Sequence, residues 1–248
     1  MGIRSRGIVR LKSGLGGKLA AILKLPYFRT KLFRHRVAAG VEHERFLSGL
    51  DCLTVVDIGA NRGQFALVAR QCQPKARVIS FEPLPAAAAK FRAVFADDDR
   101  VTLHEVAIGP APGNATIHVS KRDDSSSLLP ITSTQTALFP GTEEAATIIV
   151  RVAPLREFIL VPDILPPALL KLDVQGFEME ALRGCEDMLG QFAYVYAECS
   201  FVELYAGQAL ADEVIAWLRE RGFVLRGVHN TEYDRGGRAI QADFLFAR

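Results

Sequence analysis

No acidic residue precedes Glu42, whereas Arg4, Arg6, Arg10, Lys12, Lys18, Lys24, Arg29, Lys31, Arg34 and Arg36 all stand before it. The net charge of +2 over 248 residues therefore averages two unlike regions: beyond that point 20 of the 30 basic residues face all 28 acidic ones, a net of −8. Cysteine is scarce. Cys52, Cys72, Cys185 and Cys199 form no CxxC pair and no His-Cys cluster with zinc spacing, which argues against a structural zinc site. Most lie in apolar runs, as buried free thiols do, and point to a reducing cytoplasm. No uncharged apolar run reaches the roughly 18 residues of a membrane span. The stretch Leu19 to Leu25 is broken by Lys24, is followed by Pro26 and lacks a small-residue cleavage site, so it does not read as a secretion signal. Repeats and low-complexity tracts are missing too. With 49% hydrophobic and 23% charged residues, the composition excludes disorder and fits one folded domain with a full core.

From Leu53 onward, apolar runs alternate with helical periodicity. Leu53 to Ile58 reads as a strand ending in glycines, and Phe65, Val68, Ala69 and Cys72 follow at helical spacing. Arg77 to Phe81 is a second strand, followed by a helix from Pro85 with Ala88, Phe91 and Phe95 on one face; Val101 to Ile108 is a third strand. Asn114 to Ser120 and Thr147 to Val152 then flank a polar stretch, Asp123 to Ser127, and predict a hairpin insertion of the kind that carries function. Alternation resumes with a strand at Leu169 to Asp173, a helix burying Phe177, Ala181, Cys185 and Met188, and a fifth strand at Tyr194 to Ala197. A helix from about Ala209 to Arg221 stops at Gly222. The link between Phe223–Val228 and Ala239–Ala247 is too short for a crossover helix, so those two strands are antiparallel. The pattern predicts an α/β fold with a doubly wound, mostly parallel sheet, whose ligands sit at the carboxyl ends of the strands.

The first turn there, Asp57-Ile-Gly-Ala-Asn-Arg-Gly63, has glycines at 59 and 63 that permit a tight bend ahead of a helix N-terminus. Glu82 ends the second strand 19 residues after Gly63, where a carboxylate can accept both hydroxyls of a ribose. The GxGxxG pattern of pyrophosphate-binding turns is absent, with Asn61 at its second glycine and Asp57 ahead of it. A carboxylate at Asp57 would repel a pyrophosphate and suits the ammonium end of S-adenosylmethionine.

Val56-Asp-Ile-Gly-Ala-Asn-Arg-Gly63, Phe81-Glu-Pro83, Val106-Ala-Ile-Gly109, Ser125-Ser-Ser-Leu128 and Leu170-Lys-Leu-Asp-Val-Gln-Gly-Phe-Glu178, in that order, resemble the motif set of the FkbM family of class I S-adenosylmethionine-dependent methyltransferases. The resemblance covers about residues 50 to 247. It implies a Rossmann-like seven-stranded sheet with a reversed last strand, and methylation of hydroxyl groups, often on sugars or secondary metabolites. It further implies that Asp57, Gly59, Asn61 and Gly63 contact the methionine part of the cofactor. Glu82, with Pro83 beside it, would hold the ribose; the stretch from His104 through Glu105 to Ala107 would border the adenine; and Ser126, within Ser125 to Ser127, would close over cofactor or acceptor.

Alcohol hydroxyls are poor acids, so their methylation is helped by a group that takes the proton. Asp173, ending the fourth strand, is the first candidate for base or acceptor anchor, Glu198 at the end of the fifth is the second, and His229 after the sixth is a third. Glu178 at a helix start complements the helix dipole. Carboxylates on adjacent strand ends are also a place for Mg²⁺ that would acidify the hydroxyl. The basic N-terminal region raises two rival readings. One is a nucleic-acid methyltransferase, but the place of the Asn/Asp-Pro-Pro-aromatic turn of base-amine enzymes holds Asp173 to Gly176, and the −8 body offers no broad basic surface. The other is a cofactor-binding module without catalysis. The domain plan is a basic helical extension at residues 1–45 and the methyltransferase domain at 46–248. Ile8, Leu11, Leu15, Leu19 and Ile22 recur at helical spacing in the extension, suiting residues 1–36 either to an anionic membrane face or to packing beside the cleft. A cytoplasmic location, peripheral at the inner membrane face, follows.

Overall fold

A computed structural model describes residues 8, 9 and 15–248, with side chains from residue 16. The N-terminal region supplies strand β1 (Ile8–Val9) and helices α1 (Leu15–Lys24), α2 (Pro26–His35) and α3 (Glu44–Leu47). Next come β2 (Thr54–Ile58), α4 (Gln64–Cys72), β3 (Arg77–Phe81), α5 (Pro85–Val94) and β4 (Val101–His104). A second, three-stranded sheet takes β5 (Ala107–Ile108), β6 (Gly113–Ser120) and β7 (Glu144–Ala153), with α6 (Ser133–Leu138) between the last two. The chain returns to the main sheet with β8 (Ala168–Leu172), α7 (Glu178–Gly184), β9 (Tyr194–Ser200), α8 (Ala211–Glu220), β10 (Val224–Asp234) and β11 (Ala239–Ala247).

The strand order is β1-β10-β11-β9-β8-β2-β3-β4. Strands β4, β3, β2, β8 and β9 run parallel, and β11 lies antiparallel between β9 and β10. This is a seven-stranded, mostly parallel sheet with its last strand reversed, and β1 laid along its outer edge. β2 and β8 are buried along their whole length, which is why they read as unbroken apolar runs rather than alternating ones. Alternate side chains feed the two faces. Val56, Leu170 and Val195 pack under α7 and α8, while Val55, Leu169 and Tyr196 pack under α4, α5 and the N-terminal helices.

The structure departs from the sequence reading in four places. The third strand is two: after His104 the chain leaves the main sheet, and Ala107–Ile108 pair with Val152–Ala153 of β7 instead. The polar insertion contains α6, started by Thr132, whose hydroxyl accepts from the Gln135 amide at 3.2 Å. The sixth strand extends to Asp234, with register shifts beyond His229. Finally, Ile8 is not part of a long basic helix. Ile8 and Val9 pair with Asp234 and Tyr233 at the sheet edge, where β-branched residues fit, and the described helix is Leu15–Lys24; Leu11 lies outside the described residues. Among the described residues no helix is long and apolar enough to cross a membrane.

Candidate functional site

A cleft of about 1350 Å³ opens at the carboxyl ends of β2, β3, β8 and β9. Single-ligand pockets occupy roughly 300–1,000 Å³, so this one has room for two ligands. The insertion forms part of its wall through Arg122 to Leu128, and the N-terminal region through Lys18, Leu19, Ile22 and the segment around His43.

The first turn is built by packing. Gly59 has φ +78°, and a Cβ there would stand 1.9 Å from the Asp173 carbonyl oxygen; Gly63, at φ +94°, would drive one to 2.6 Å from the Phe95 ring. The room these glycines leave is filled by the protein itself, and the bend carries the Asn61 amide to Glu82 Oε2 at 2.8 Å. The Leu84 amide donates to the other oxygen, Oε1, at 2.8 Å. Each carboxylate oxygen keeps a free lone-pair direction. Burial pushes Glu82 up to about 7 against the pull of these two donors.

Asp57 is fully buried, and its Oδ1 lies 3.0 Å from Lys171 Nζ, itself buried in the middle of β8. Asp57 Oδ2 has no hydrogen-bond partner among the described residues. Burial opposes charge on both groups: it raises Asp57, while Asp57 and Asp173 outweigh it at Lys171 and hold the ammonium above its ordinary value. Lys171 also donates to the Gly59 carbonyl at 2.9 Å and lies 3.7 Å from Asp173 Oδ2, so one cation ties the first turn to the end of β8.

Asp173 and Glu198 both line the cleft, and Gln175 joins them: its Nε2 donates to Asp173 Oδ1 and to Glu198 Oε2, both at 2.8 Å. Burial, and next Asp173, hold Glu198 well above the carboxylate range. Gln175 Oε1 accepts from the Tyr205 hydroxyl at 2.8 Å, and its carbonyl accepts from Ser127 Oγ at 2.6 Å, fastening the insertion to the turn after β8. This network does not suit Mg²⁺. An amide occupies the gap between the two carboxylates, an ammonium stands beside Asp173, and among the described residues no three metal-ligating side chains gather.

Gly59, Asn61, Glu82, Pro83, Ala107, Ser126, Asp173 and Glu198 therefore share the cleft. Other sequence candidates stand elsewhere. Gly63 lies under Phe91 and Phe95, and Glu105 turns outward to Arg92 at 2.7 Å. Glu178 is buried in the turn, accepting from the Val174 and Gly176 amides. His229 points away from the cleft toward Phe46 and Tyr196, because the next residue, Asn230, with φ +50° at the irregular stretch of β10, takes the cleft-facing position. Asn230, which follows His229 at the strand end that the sequence marks, lines the cleft, and sequence reasoning missed Lys171, His43, Gln241 and Asp243, which line it as well. A lysine inside an otherwise apolar strand was a signal, since buried lysines need a partner.

Residues 57–225 match the family described as Methyltransferase FkbM domain. The chain is 31% identical over 160 residues to 2-O-methyltransferase NoeI of Sinorhizobium fredii, covering 62% of this chain and 66% of that one. It is 28% identical over 148 residues to Methyltransferase 1 of Beauveria bassiana, covering 54% and 58%. It thus spans just under two thirds of the first relative's length and less of the second's. Among solved structures, Aeropyrum pernix fibrillarin in complex with natively bound S-adenosyl-L-methionine aligns at 13% identity and a TM-score of 0.44, covering 82% of this chain and 73% of that one.

Proposed function

Because the chain belongs to the FkbM methyltransferase family, we propose that it uses S-adenosylmethionine to methylate a hydroxyl, on a sugar of a glycan, glycolipid or natural product. The observation that carries this is Glu82: a buried carboxylate at the end of β3, fixed by two backbone amides beside the β2 turn, with lone pairs left for the two ribose hydroxyls. Asp57, by contrast, is sealed beneath the turn against Lys171 and does not line the cleft, so in this reading the contacts to the methionine part fall to Gly59 and Asn61. Ala107, Ser126 and Pro83 complete the cofactor's wall in this reading.

When bound, S-adenosylmethionine supplies a methyl group activated by a sulfonium. The chain's own residues do the positioning, worth up to roughly 7–11 kcal/mol when alignment is good. Asp173 and Glu198, bridged by Gln175 and with Gln241 Nε2 donating to Glu198 Oε1 at 3.1 Å, form a wall of acceptors and amide donors suited to sugar hydroxyls. The 2-O-methyltransferase among the relatives supports oxygen as the atom methylated.

The test is calorimetry with S-adenosylhomocysteine, then incubation of cell-envelope glycan and lipid extracts with methyl-labelled cofactor and mass spectrometry of the product. Binding, with label on a saccharide oxygen, is the expected result. Absence of binding at about millimolar ligand, or label found on RNA or DNA instead, rejects the reading.

In the same reading the N-terminal region also places the enzyme. Phe33 is exposed on α2 beside Arg29 and Arg34, a combination suited to an anionic membrane surface, while Lys18, Leu19 and Ile22 of α1 pack beside the cleft. Full-length protein should sediment with phosphatidylserine-containing vesicles at low salt and not with neutral ones. Equal recovery with both would reject a membrane role.

A further inference from the structure

His43 and Asp243 lie outside the stretch that matches the family, on opposite sides of it in the chain, yet both line the cleft. His43 ends a short turn, Val41–His43, that is held against α4 by the Gly40 amide donating to the Gln64 carbonyl at 2.9 Å. Its ring is boxed edge-on by Phe65 at 5.3 Å, Tyr196 at 5.6 Å and Phe46 at 6.2 Å between centroids, which fixes its orientation. Nδ1 lies 3.1 Å from the Tyr196 hydroxyl. That hydroxyl donates its one proton to Asp243 Oδ2 at 2.9 Å, and Asn230 Nδ2 donates to the same oxygen at 2.8 Å. With its proton committed, Tyr196 can only accept from His43, so the neutral imidazole carries its hydrogen on Nδ1. Nε2 has no hydrogen bond among the described residues and is not sealed in the core, so its lone pair is left for the cleft.

We propose that His43 is the general base for the acceptor hydroxyl, with Tyr196 and Asp243 as positioning residues that set its tautomer. This rests on the hydroxyl-methylation reading. As the acceptor oxygen forms its bond to the methyl carbon, the carbon–sulfur bond breaks and its electron pair stays on sulfur, leaving neutral S-adenosylhomocysteine. The hydroxyl proton moves to His43 Nε2. Asp243, 3.8 Å from Nδ1, stabilises the resulting imidazolium until the proton passes to solvent. Asp173 is less suited to this task, because its oxygens already meet the Gln175 amide and the Lys171 ammonium. The other titratable groups facing His43 are Asp57 of β2, His229 of β10 and Glu42 of its own turn.

The experiment combines kinetics with a spectrum that needs no acceptor. His43→Gln should bind S-adenosylhomocysteine and melt like the parent while methyl transfer to the envelope extract falls by about 10²- to 10⁴-fold, the usual worth of a general base. At saturating methyl donor, where the titration of Glu82 no longer limits binding, its remaining kcat should lose the acidic limb of the parent's pH–rate profile. Asp243→Asn should lower kcat with little change in KM for the methyl donor. In the unaltered protein labelled with ¹⁵N-histidine, the neutral form of His43 should show a protonated Nδ1 and a bare Nε2, and Asp243→Asn should mix the tautomers. A His43→Gln protein with near-parental turnover, or a hydrogen on Nε2 of the neutral ring, overturns the proposal by itself. A parent that binds S-adenosylhomocysteine yet labels nothing overturns hydroxyl methylation and the role of His43 with it.

Discussion

Replacing Lys171 with methionine should cost about 3–5 kcal/mol of stability, because it strands the carboxylate of Asp57 in the core with its buried ammonium partner removed. In a chain of this size each kcal/mol corresponds to roughly 2–4 °C of Tm, so the loss is visible by calorimetry. The sign of its pH dependence is fixed as well. Burial already raises Asp57, and removing Lys171 raises it further, so the native variant keeps a proton that the unfolded chain gives up at its ordinary value of 3.8. Stability relative to the parent is therefore best at low pH and is lost as pH rises through the native value. Adding Asp57→Asn removes the stranded charge and should recover part of the deficit. Denaturation at pH 5 and pH 8 checks this; a deficit equal at both, or unrelieved in the double variant, would mean that the pair is structurally idle.

Glu82→Ala should weaken S-adenosylhomocysteine binding by about 10²- to 10⁴-fold. Two hydrogen bonds from ribose hydroxyls to a charged acceptor are worth roughly 1.5–3 kcal/mol each, and every 1.4 kcal/mol is tenfold. Glu82→Gln is the companion variant, since it keeps one oxygen for the backbone amides that hold the turn. Burial lifts Glu82 from 4.5 to about 7, so the ionised acceptor forms only as pH rises through 7, and affinity should climb there. The same shift acts oppositely on the ligand-free fold: its contribution to stability is present below 4.5 and lost as pH rises through about 7. Titrations at pH 6 and 8 should separate parent from Glu82→Gln, whose affinity should vary less. An alanine variant with the parent's affinity would remove Glu82 from the cofactor site.

Much of the architecture was readable from the sequence because the strands that matter are short apolar runs closed by glycine, proline or a carboxylate. Leu53 to Ile58 and Arg77 to Phe81 emerged nearly as read. Val101 to Ile108 misled for the same reason, since nothing in an apolar run marks where the chain changes sheets. Helix α6 has a polar surface that looks like loop, and its hydroxyl cap is local. Strand-end carboxylates such as Glu82, Asp173 and Glu198 were legible by position. His43 and Asp243 were not, because no spacing links residues two hundred positions apart; the docking of the Val41–His43 turn on α4 and the placing of β11 beside β9 bring them together.

The insertion of β11 between β9 and β10 also orders events at the ribosome. Strand β10 is made before β11, yet its neighbours in the sheet are β11 and, at its far end, the two residues of β1. A growing chain that has finished β10 therefore has almost nowhere in the sheet to put it. The turn after β2 and Glu82 of β3 can assemble early, as N-terminal units do during synthesis. Asp243 and Gln241 arrive only with β11, the last strand of the sheet to be made. A growing chain that has not yet made β11 thus holds the half of the cleft built on β2 and β3 without the half that Asp243 completes, and the two are joined only once β11 slots in beside β9.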